Sequence, residues 1–304
     1  MKASFIRKYG GPEVLEHGEL PDPVPAPGEV LVDIHAASIN AADWKMRAGT
    51  YGGSISFPHV LGRDISGVVA KGGSFFKPGD AVFAVCEVPR EGAYAEKIAI
   101  REEIVARKPE RLTHAQTAAI ALAGLTAVVS IEETIKLKKG ETILIQGGAG
   151  GVAGFAIALA KHLGARVITT ASAANHDYVR KLGADEVIDY RTQDFTTAVK
   201  GVDAVFDTVG GDVTGRSFAV LKPGGRLASV AVGMSAPPSP RGDVQSLRPK
   251  VDRTRGRLDR VAQLVTSGAV PLPTIVEYPL AKAADAHRVS EARHLRGKLV
   301  LKVR

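Results

Sequence analysis

The sequence predicts a two-domain α/β plus β chain: a partly closed β-barrel joined to a doubly wound parallel sheet. Three observations predict it. A β-branched strand, a glycine-rich turn and an apolar helix follow one another across residues 142–164. Strands and helices then alternate to residue 232, as a parallel sheet with crossover helices requires. Before them, residues 3–113 carry short strands punctuated by Gly and Pro, the pattern of a twisted all-β unit.

In chain order, residues 2–7 and 30–37 have strand character, linked by a stiff connector holding Pro21, Pro23, Pro25, Pro27 and Gly28. Residues 65–70 form a strand ending at Gly72 and Gly73. The turn Lys77-Pro78-Gly79-Asp80 feeds another at 81–85, and Gly92 opens a further one. A helical zone begins at Thr113, with Gln116 three residues on to complete a capping box. After the glycine turn come a strand at 166–170, a helix at 175–182 and a strand at 183–190. A strand at 202–207, a helix at 212–221 stopped by Pro223 and Gly224, and a strand at 225–232 follow. Helices at 257–267 and 281–291 and strands at 274–278 and 298–303 close the chain. The expected division is residues 1–113 plus 271–304 for the barrel and 114–270 for the nucleotide domain.

The glycine cluster carries the first chemistry. Gly147, Gly148, Ala149, Gly150, Gly151 and Val152 join strand to helix, with best spacing Gly147-x-x-Gly150-x-x-Ala153. Such a turn lets backbone approach a pyrophosphate, and the helix N-terminus offers free N–H groups to it. A glycine pattern alone is weak; the βαβαβ context gives it meaning. The second strand of this unit ends without an acid, at Thr169-Thr170-Ala171-Ser172-Ala173-Ala174-Asn175. A carboxylate there would repel a 2′-phosphate, so its absence favours NADPH over NADH. Ser172 and Asn175 can donate to that phosphate. Tyr190 and Arg191 are the nearest further candidates, with ordinary loop roles equally open.

Composition narrows the classes. The chain has 304 residues, 45% of them apolar, and a formal charge of +8. Its single cysteine, Cys86, excludes an internal disulfide and a cysteine-based metal cluster. No apolar signal core opens the sequence, and the longest apolar run, 118–129, is too short to span a bilayer. A cytoplasmic protein without membrane contact is expected. Half of the net charge lies in 241–260, where seven Lys/Arg face three Asp. That stretch lacks interleaved aromatics for base stacking, so it reads as a solvated loop running into a helix, and nucleic acid is not the expected partner.

These motifs, in order, resemble the zinc-free quinone oxidoreductase branch of the medium-chain dehydrogenase/reductase superfamily. The likeness runs nearly end to end: Tyr9-Gly10-Gly11-Pro12-Glu13, Ala37-Ser38-Ile39-Asn40, Leu61-Gly62-Arg63-Asp64, Gly92-Ala93-Tyr94-Ala95-Glu96, Gly124-Leu125-Thr126-Ala127, Asp207-Thr208-Val209-Gly210-Gly211 and Gly297-Lys298-Leu299. The resemblance implies a GroES-like barrel with a Rossmann domain, and assembly as a homodimer or homotetramer. It places Asn40 and Arg63 where zinc members carry a Cys and a His, so no metal is expected. His59 lacks a partner at ligand spacing and reads as a cleft-wall or packing residue. The resemblance implies Asn40, Asp43 and Tyr51 as the catalytic set: Asn40 and Tyr51 as donors, Asp43 as an orienting group. A turn cap for Asn40 and simple packing for Tyr51 stay open. It further implies cofactor contacts from Thr126, Val209, Gly210, Val232, Gly233 and Lys298.

The expected activity is hydride transfer from NADPH to a quinone or an α,β-unsaturated carbonyl (enone) without zinc. A reading from another class is a basic NADPH-binding redox sensor or nucleic-acid-binding protein that turns nothing over, for which only residues 241–260 speak.

Overall fold

A computed structural model describes residues 1–51, 55–231, 233, 235–293 and 295–304. The chain begins with β1 (Lys2–Ile6), β2 (Glu16–Glu19), β3 (Glu29–Ser38), α1 (Ala41–Arg47), β4 (His59–Val60), β5 (Asp64–Lys71), β6 (Ala81–Val85), β7 (Lys97–Arg101) and β8 (Val105–Arg107). Next come α2 (His114–Val128), β9 (Thr142–Gln146), α3 (Gly151–His162), β10 (Arg166–Ala171), α4 (His176–Lys181), β11 (Glu186–Asp189), α5 (Phe195–Ala198), β12 (Val202–Asp207), α6 (Asp212–Ser217), β13 (Leu221–Ser229) and β14 (Gln245–Leu247). The last segment holds α7 (Arg255–Thr266), β15 (Ile275–Pro279), α8 (Ala283–Glu291) and β16 (Lys298–Lys302).

Two compact units result. The first comprises Met1–Leu122, Arg253–Gln263 and Thr274–Arg304. Its main sheet runs β15-β16-β3-β5-β6-β8, with β7 also on β3. The ten residues of β3 organise it. Glu29 to Asp33 pair with β7, Ala36 to Ser38 pair with β16, and β5 covers the other edge. Register shifts between β3 and β5 bend the sheet, as bulges do in barrels. Val30, Val32, Ile34, Leu61, Ile65, Val82, Leu299 and Leu301 fill its interior.

The second unit comprises Ala123–Asp252 and Leu264–Pro273. Its six strands lie in the order β11-β10-β9-β12-β13-β14, and every pairing is parallel. This is the doubly wound dinucleotide-binding order, reversing direction at β9. Leu144, Ile168, Val205, Phe218 and Leu227 form part of its core.

The boundaries differ from those expected. Residues 114–122 and 253–263 group with the barrel unit, and 271–273 with the sheet unit. Ala118 and Ala119 pack with Ala36 and Val300, which ties the start of α2 to the barrel sheet. The expected capping box forms: Thr113 N–H donates to Gln116 Oε1 (2.9 Å) and Gln116 N–H to Thr113 Oγ1 (3.1 Å).

Two further expectations are corrected. The apolar run at 118–129 belongs to a continuous helical stretch of 22 residues, His114–Ile135, extended by a π-helical turn from Val129. It is long enough to cross a bilayer, but 83% of its most apolar window is buried inside the protein, as in a core helix. The basic stretch is not simply a solvated loop. Residues 245–247 are the sixth strand, and the arginines bind carbonyls. Arg241 Nη1 donates to Phe218 O and Leu221 O, and Arg248 Nη1 to Ser229 O. Arg255 donates to Val105 O and Glu102 O while its guanidinium lies 4.4 Å from the Phe75 ring centre.

Candidate functional site

In the barrel unit, Asn40 stands at the end of β3 and caps α1 with an extended backbone. Its N–H donates to Asp43 Oδ2 (2.9 Å), the acidic half of a capping arrangement. Its side chain is held from both ends. Nδ2 donates to Asp64 Oδ2 (2.8 Å), and Lys298 Nζ donates to Oδ1 (2.6 Å) and to Ile39 O (2.8 Å). Asp64, fully buried at the head of β5, also accepts from Ser38 Oγ and from Leu122 N–H (2.9 Å). Burial pushes its carboxyl up; Lys298, 3.9 Å away, and these hydrogen bonds oppose that. Burial in turn pushes the Lys298 ammonium down.

Asp43 is enclosed. Tyr94 Oη donates to Asp43 Oδ2 (2.8 Å), and Oδ1 has no hydrogen-bond partner among the described residues. The chain of contacts continues inward with one possible direction. Arg47 Nη1 can only donate, so His287 Nδ1 accepts (2.9 Å) and Nε2 carries the hydrogen. Tyr94 has one hydroxyl hydrogen, given to Asp43, so it accepts from His287 Nε2–H (3.1 Å). Glu291 closes the series by pairing with Arg47. Burial depresses His287 to about 3, which agrees with the neutral ring.

Burial raises Asp43 from 3.8 to about 7, with Arg63 and the two hydrogen bonds opposing. The sign for stability follows. Between the unfolded and folded values the native chain binds the extra proton, so stability falls as pH rises through this window and levels off above 7. Asp43→Asn removes that dependence. Urea unfolding at pH 5.5 and 8 should show the variant gaining on wild type at the higher pH. Only the part of the window between pH 5.5 and about 7 is sampled, so the relative gain should be at most about 2 kcal/mol at 1.36 kcal/mol per unit. A difference constant with pH would reject the assignment.

Tyr51 is the exposed member of the expected catalytic set, 48% accessible. Its ring centre lies 5.8 Å from the Arg63 guanidinium. Arg63 is 9% exposed and is clamped by Glu91: Nε and Nη2 reach Oε1 at 3.0 and 2.9 Å. Glu91 Oε2 meets His59 Nε2 at 2.9 Å, so His59 is a hydrogen-bond partner of Glu91 and not a lone packing residue. Cys86 is buried, and burial pushes its thiol up, away from the reactive thiolate.

In the sheet unit, the glycine turn is anchored to β10. Gly147 N–H donates to Thr170 Oγ1 (3.0 Å), Gly148 N–H to Thr170 O (2.9 Å), and Thr170 Oγ1 to Gln146 Oε1 (2.8 Å). Gly147 has φ +78°, a conformation open to glycine. A Cβ on Gly148 would sit 2.3 Å from Thr169 Oγ1. Ala149 continues the turn, and Gly150 is the N-cap of α3 with no side chain to satisfy the first N–H groups. Those of Gly151, Val152 and Ala153 therefore remain for an anion. The residues fit a dinucleotide phosphate.

At the tip of β10, Ser172 and Asn175 bond to each other, Nδ2 to Oγ at 3.2 Å. Tyr190 is half exposed, with the Arg191 guanidinium 5.9 Å from its ring centre. An acid does stand beside this strand end: Asp189 of β11 is in register with Ala171. Its Oδ1 accepts Arg191 N–H (3.0 Å). Asp207, fully buried at the end of β12, shapes the following loop. Oδ1 accepts Val209 N–H (2.8 Å) and Gly210 N–H (3.1 Å), while Oδ2 takes Thr214 and Ser229 hydroxyls. Thr126 is buried in α2, and its carbonyl accepts Ser130 Oγ at 2.7 Å. Gly233 is exposed; Val232 lies outside the described residues.

The structure thus brings Asn40, Asp43 and Lys298 into direct contact and sets Tyr51 on Arg63. Lys298, expected among cofactor contacts, is buried against Asn40. Sequence reasoning missed Glu91, Asp64 and Asp207, and read Arg63 only as a missing zinc ligand. For Asp64 and Asp207 the signal was present, since charged residues within apolar strands are buried and need partners; Glu91, between Arg90 and Gly92, carries no such local signal.

A GroES-like barrel carrying buried polar side chains, with a Rossmann unit, defines a two-domain pyridine-nucleotide dehydrogenase. Residues 26–110 match the alcohol dehydrogenase GroES-like domain family, and residues 182–301 the zinc-binding dehydrogenase family. A chloroplast envelope quinone oxidoreductase homolog of Arabidopsis thaliana is 32% identical over 99% of this chain and 98% of its own. An NADPH-dependent alkenal/one oxidoreductase of the same plant is 34% identical over 99% of this chain and 79% of its own. The structure of Escherichia coli quinone oxidoreductase complexed with NADPH superposes with a TM-score of 0.92 at 31% identity, covering 100% of both chains. The chain belongs to the quinone oxidoreductase branch of the medium-chain dehydrogenase/reductase superfamily.

Proposed function

We propose that this protein is an NADPH-dependent oxidoreductase that delivers hydride to a quinone or an α,β-unsaturated carbonyl without zinc. The carrying observation is what stands at the two positions where the family resemblance puts zinc ligands, Asn40 and Arg63, and the cation that Asn40 already holds. Lys298 occupies Asn40 Oδ1, and the Arg63 guanidinium stands nearby in the sequence position of a zinc ligand. A divalent cation would meet two fixed positive charges and a donor set already spent. When bound, NADPH supplies a hydride. The protein's part is to hold the pyrophosphate on the glycine turn and the first turn of α3, and to offer donors where the acceptor's oxygen gains charge. The NADPH complex of the Escherichia coli relative and the NADPH dependence in the alkenal/one relative's name support the cofactor.

The test is steady-state NADPH oxidation against a small panel of quinones and enones, with and without chelator. Turnover should persist in chelator; loss restored by zinc would overturn the metal-free reading. Cofactor choice gives a second expectation. The Arg191 guanidinium has no carboxylate partner among the described residues and lies beside the tip of β10. Arg191→Ala should lower the preference for NADPH over NADH about tenfold, the scale of one charge-assisted hydrogen bond. Fluorescence titration with both nucleotides measures it, and an unchanged ratio rejects Arg191 as the phosphate partner. The sensor and nucleic-acid reading loses its support, because Arg241, Arg248 and Arg255 are engaged with backbone carbonyls.

A further inference from the structure

We propose that Arg63 is the group that receives the acceptor's oxygen, a fixed cation doing in this chain what a metal ion does in zinc-dependent relatives. The inference rests on the hydride-transfer reading above and names the residue that stabilises its transition state. Addition of a hydride to the conjugated carbon moves the π electrons onto the acceptor's oxygen, giving an enolate or a hydroquinone monoanion, which then takes a proton from solvent. NADPH leaves as NADP⁺, so two electrons and two hydrogens are accounted for. The new charge on oxygen needs a donor already in place.

The other candidates are largely committed, with one amide hydrogen left on Asn40 and one ammonium hydrogen on Lys298. Asn40 gives one amide hydrogen to Asp64 and its oxygen to Lys298. Asp43 is fully buried and is an acceptor when ionised. Lys298 is only 4% exposed and spends two of its hydrogens on Ile39 O and Asn40 Oδ1. Arg63 differs. Glu91 engages Nε and one face of Nη2, and Nη1 has no partner among the described residues. Nη1 is also absent from the buried unsatisfied atoms among those residues, so it is open to a ligand. Tyr51, half exposed, lies alongside with its ring 5.8 Å from the guanidinium. The clamp is itself fixed: Glu91 is held on its other oxygen by His59. A guanidinium immobilised on one edge and free on the other is the preorganised donor an oxyanion needs.

Removing Arg63 alone leaves Glu91 without its buried partner, so the informative variant is Arg63→Gln with Glu91→Gln, beside Arg63→Lys. The probe is 2-hydroxy-1,4-naphthoquinone, an anion at neutral pH that mimics the reduced acceptor. Neutral 1,4-naphthoquinone is the control. Binding is followed by absorbance with NADP⁺ present, and folding by thermal melting. At unchanged melting temperature, the double variant should bind the anion about a hundredfold more weakly while binding of the neutral quinone changes little. Arg63→Lys should recover part of the loss, since it keeps the charge and not the fork. Equal anion binding by wild type and double variant, or none by wild type, overturns the proposal. If the double variant melts early, Arg63→Lys decides: wild-type anion affinity in it likewise overturns the requirement for the guanidinium. The broader reading is scored separately. Wild type that fails to oxidise NADPH with every quinone and enone of the panel, yet shows the Arg63-dependent anion site, would sink the reductase assignment and leave the site standing.

Discussion

Replacing Asp64 by asparagine is expected to lower the unfolding free energy by about 3–5 kcal/mol, the scale for breaking a buried ion pair from one side. The carboxylate is the meeting point of four elements. It accepts from Ser38 at the end of β3, from Asn40 before α1 and from Leu122 in α2, and it faces Lys298 of β16. The Lys298 ammonium has no water to fall back on and no other carboxylate within ion-pair distance among the described residues. An amide keeps the shape and loses the charge, so the cost reports the uncompensated ammonium and not a cavity. Lys298→Met in the same chain should return a large part of the loss. Urea unfolding of wild type, the two single variants and the pair completes the cycle. Additive losses would show that the two buried charges are independent. Because Asn40 is oriented by both of them, Asp64→Asn should also disturb the barrel-unit site before the fold is lost.

Much of this architecture was legible in the sequence, for physical reasons visible at particular residues. Thr113 and Gln116 announced the start of α2 because a capping box is a local hydrogen-bond pair. The strand at 202–207 was read to the residue, since Val202, Ala204, Val205 and Phe206 gather apolar side chains in one short run. The strand β14 was not read: its three residues, Gln-Ser-Leu, carry neither alternation nor β-branching, and only the neighbour β13 makes them a strand. The same limit applied to the site. Asn40 and Arg63 were found as substitutions of an expected ligand pattern. Their partners Lys298 and Glu91 lie 258 and 28 residues away, and nothing local in the sequence pairs them. The roles of Arg241, Arg248 and Arg255 were missed for a related reason. A guanidinium bound to a backbone carbonyl has the same local sequence as one bound to water.

Adding a single methyl group at Gly148 is expected to weaken NADPH binding about a hundredfold. Gly148 follows the left-handed Gly147, and its N–H is tied to Thr170 O at 2.9 Å, which presses the turn against β10. The new Cβ would stand 2.3 Å from Thr169 Oγ1 and 3.1 Å from Ile157 Cδ1. Thr169 is fully buried, and its hydroxyl donates to Ile145 O at 2.6 Å. Rotating it away breaks that bond inside the sheet. The cheaper response is for the turn to lift off β10, which carries the N-terminus of α3 away from the phosphate position. Overpacking of this kind costs about 1–3 kcal/mol, and 1.4 kcal/mol is a tenfold change in affinity. Gly150→Ala is the matched control. Its Cβ would meet only Gly147 O, at an ordinary 3.5 Å, so the turn should stay seated and the melting temperature should hold. Nucleotide fluorescence titrations on both variants, with melting curves, separate the effects. Wild-type NADPH affinity in Gly148→Ala would mean that the turn is not the phosphate cradle. Gly148→Ala weaker than Gly150→Ala, with the barrel unit still folded by circular dichroism, is the ordering the packing demands.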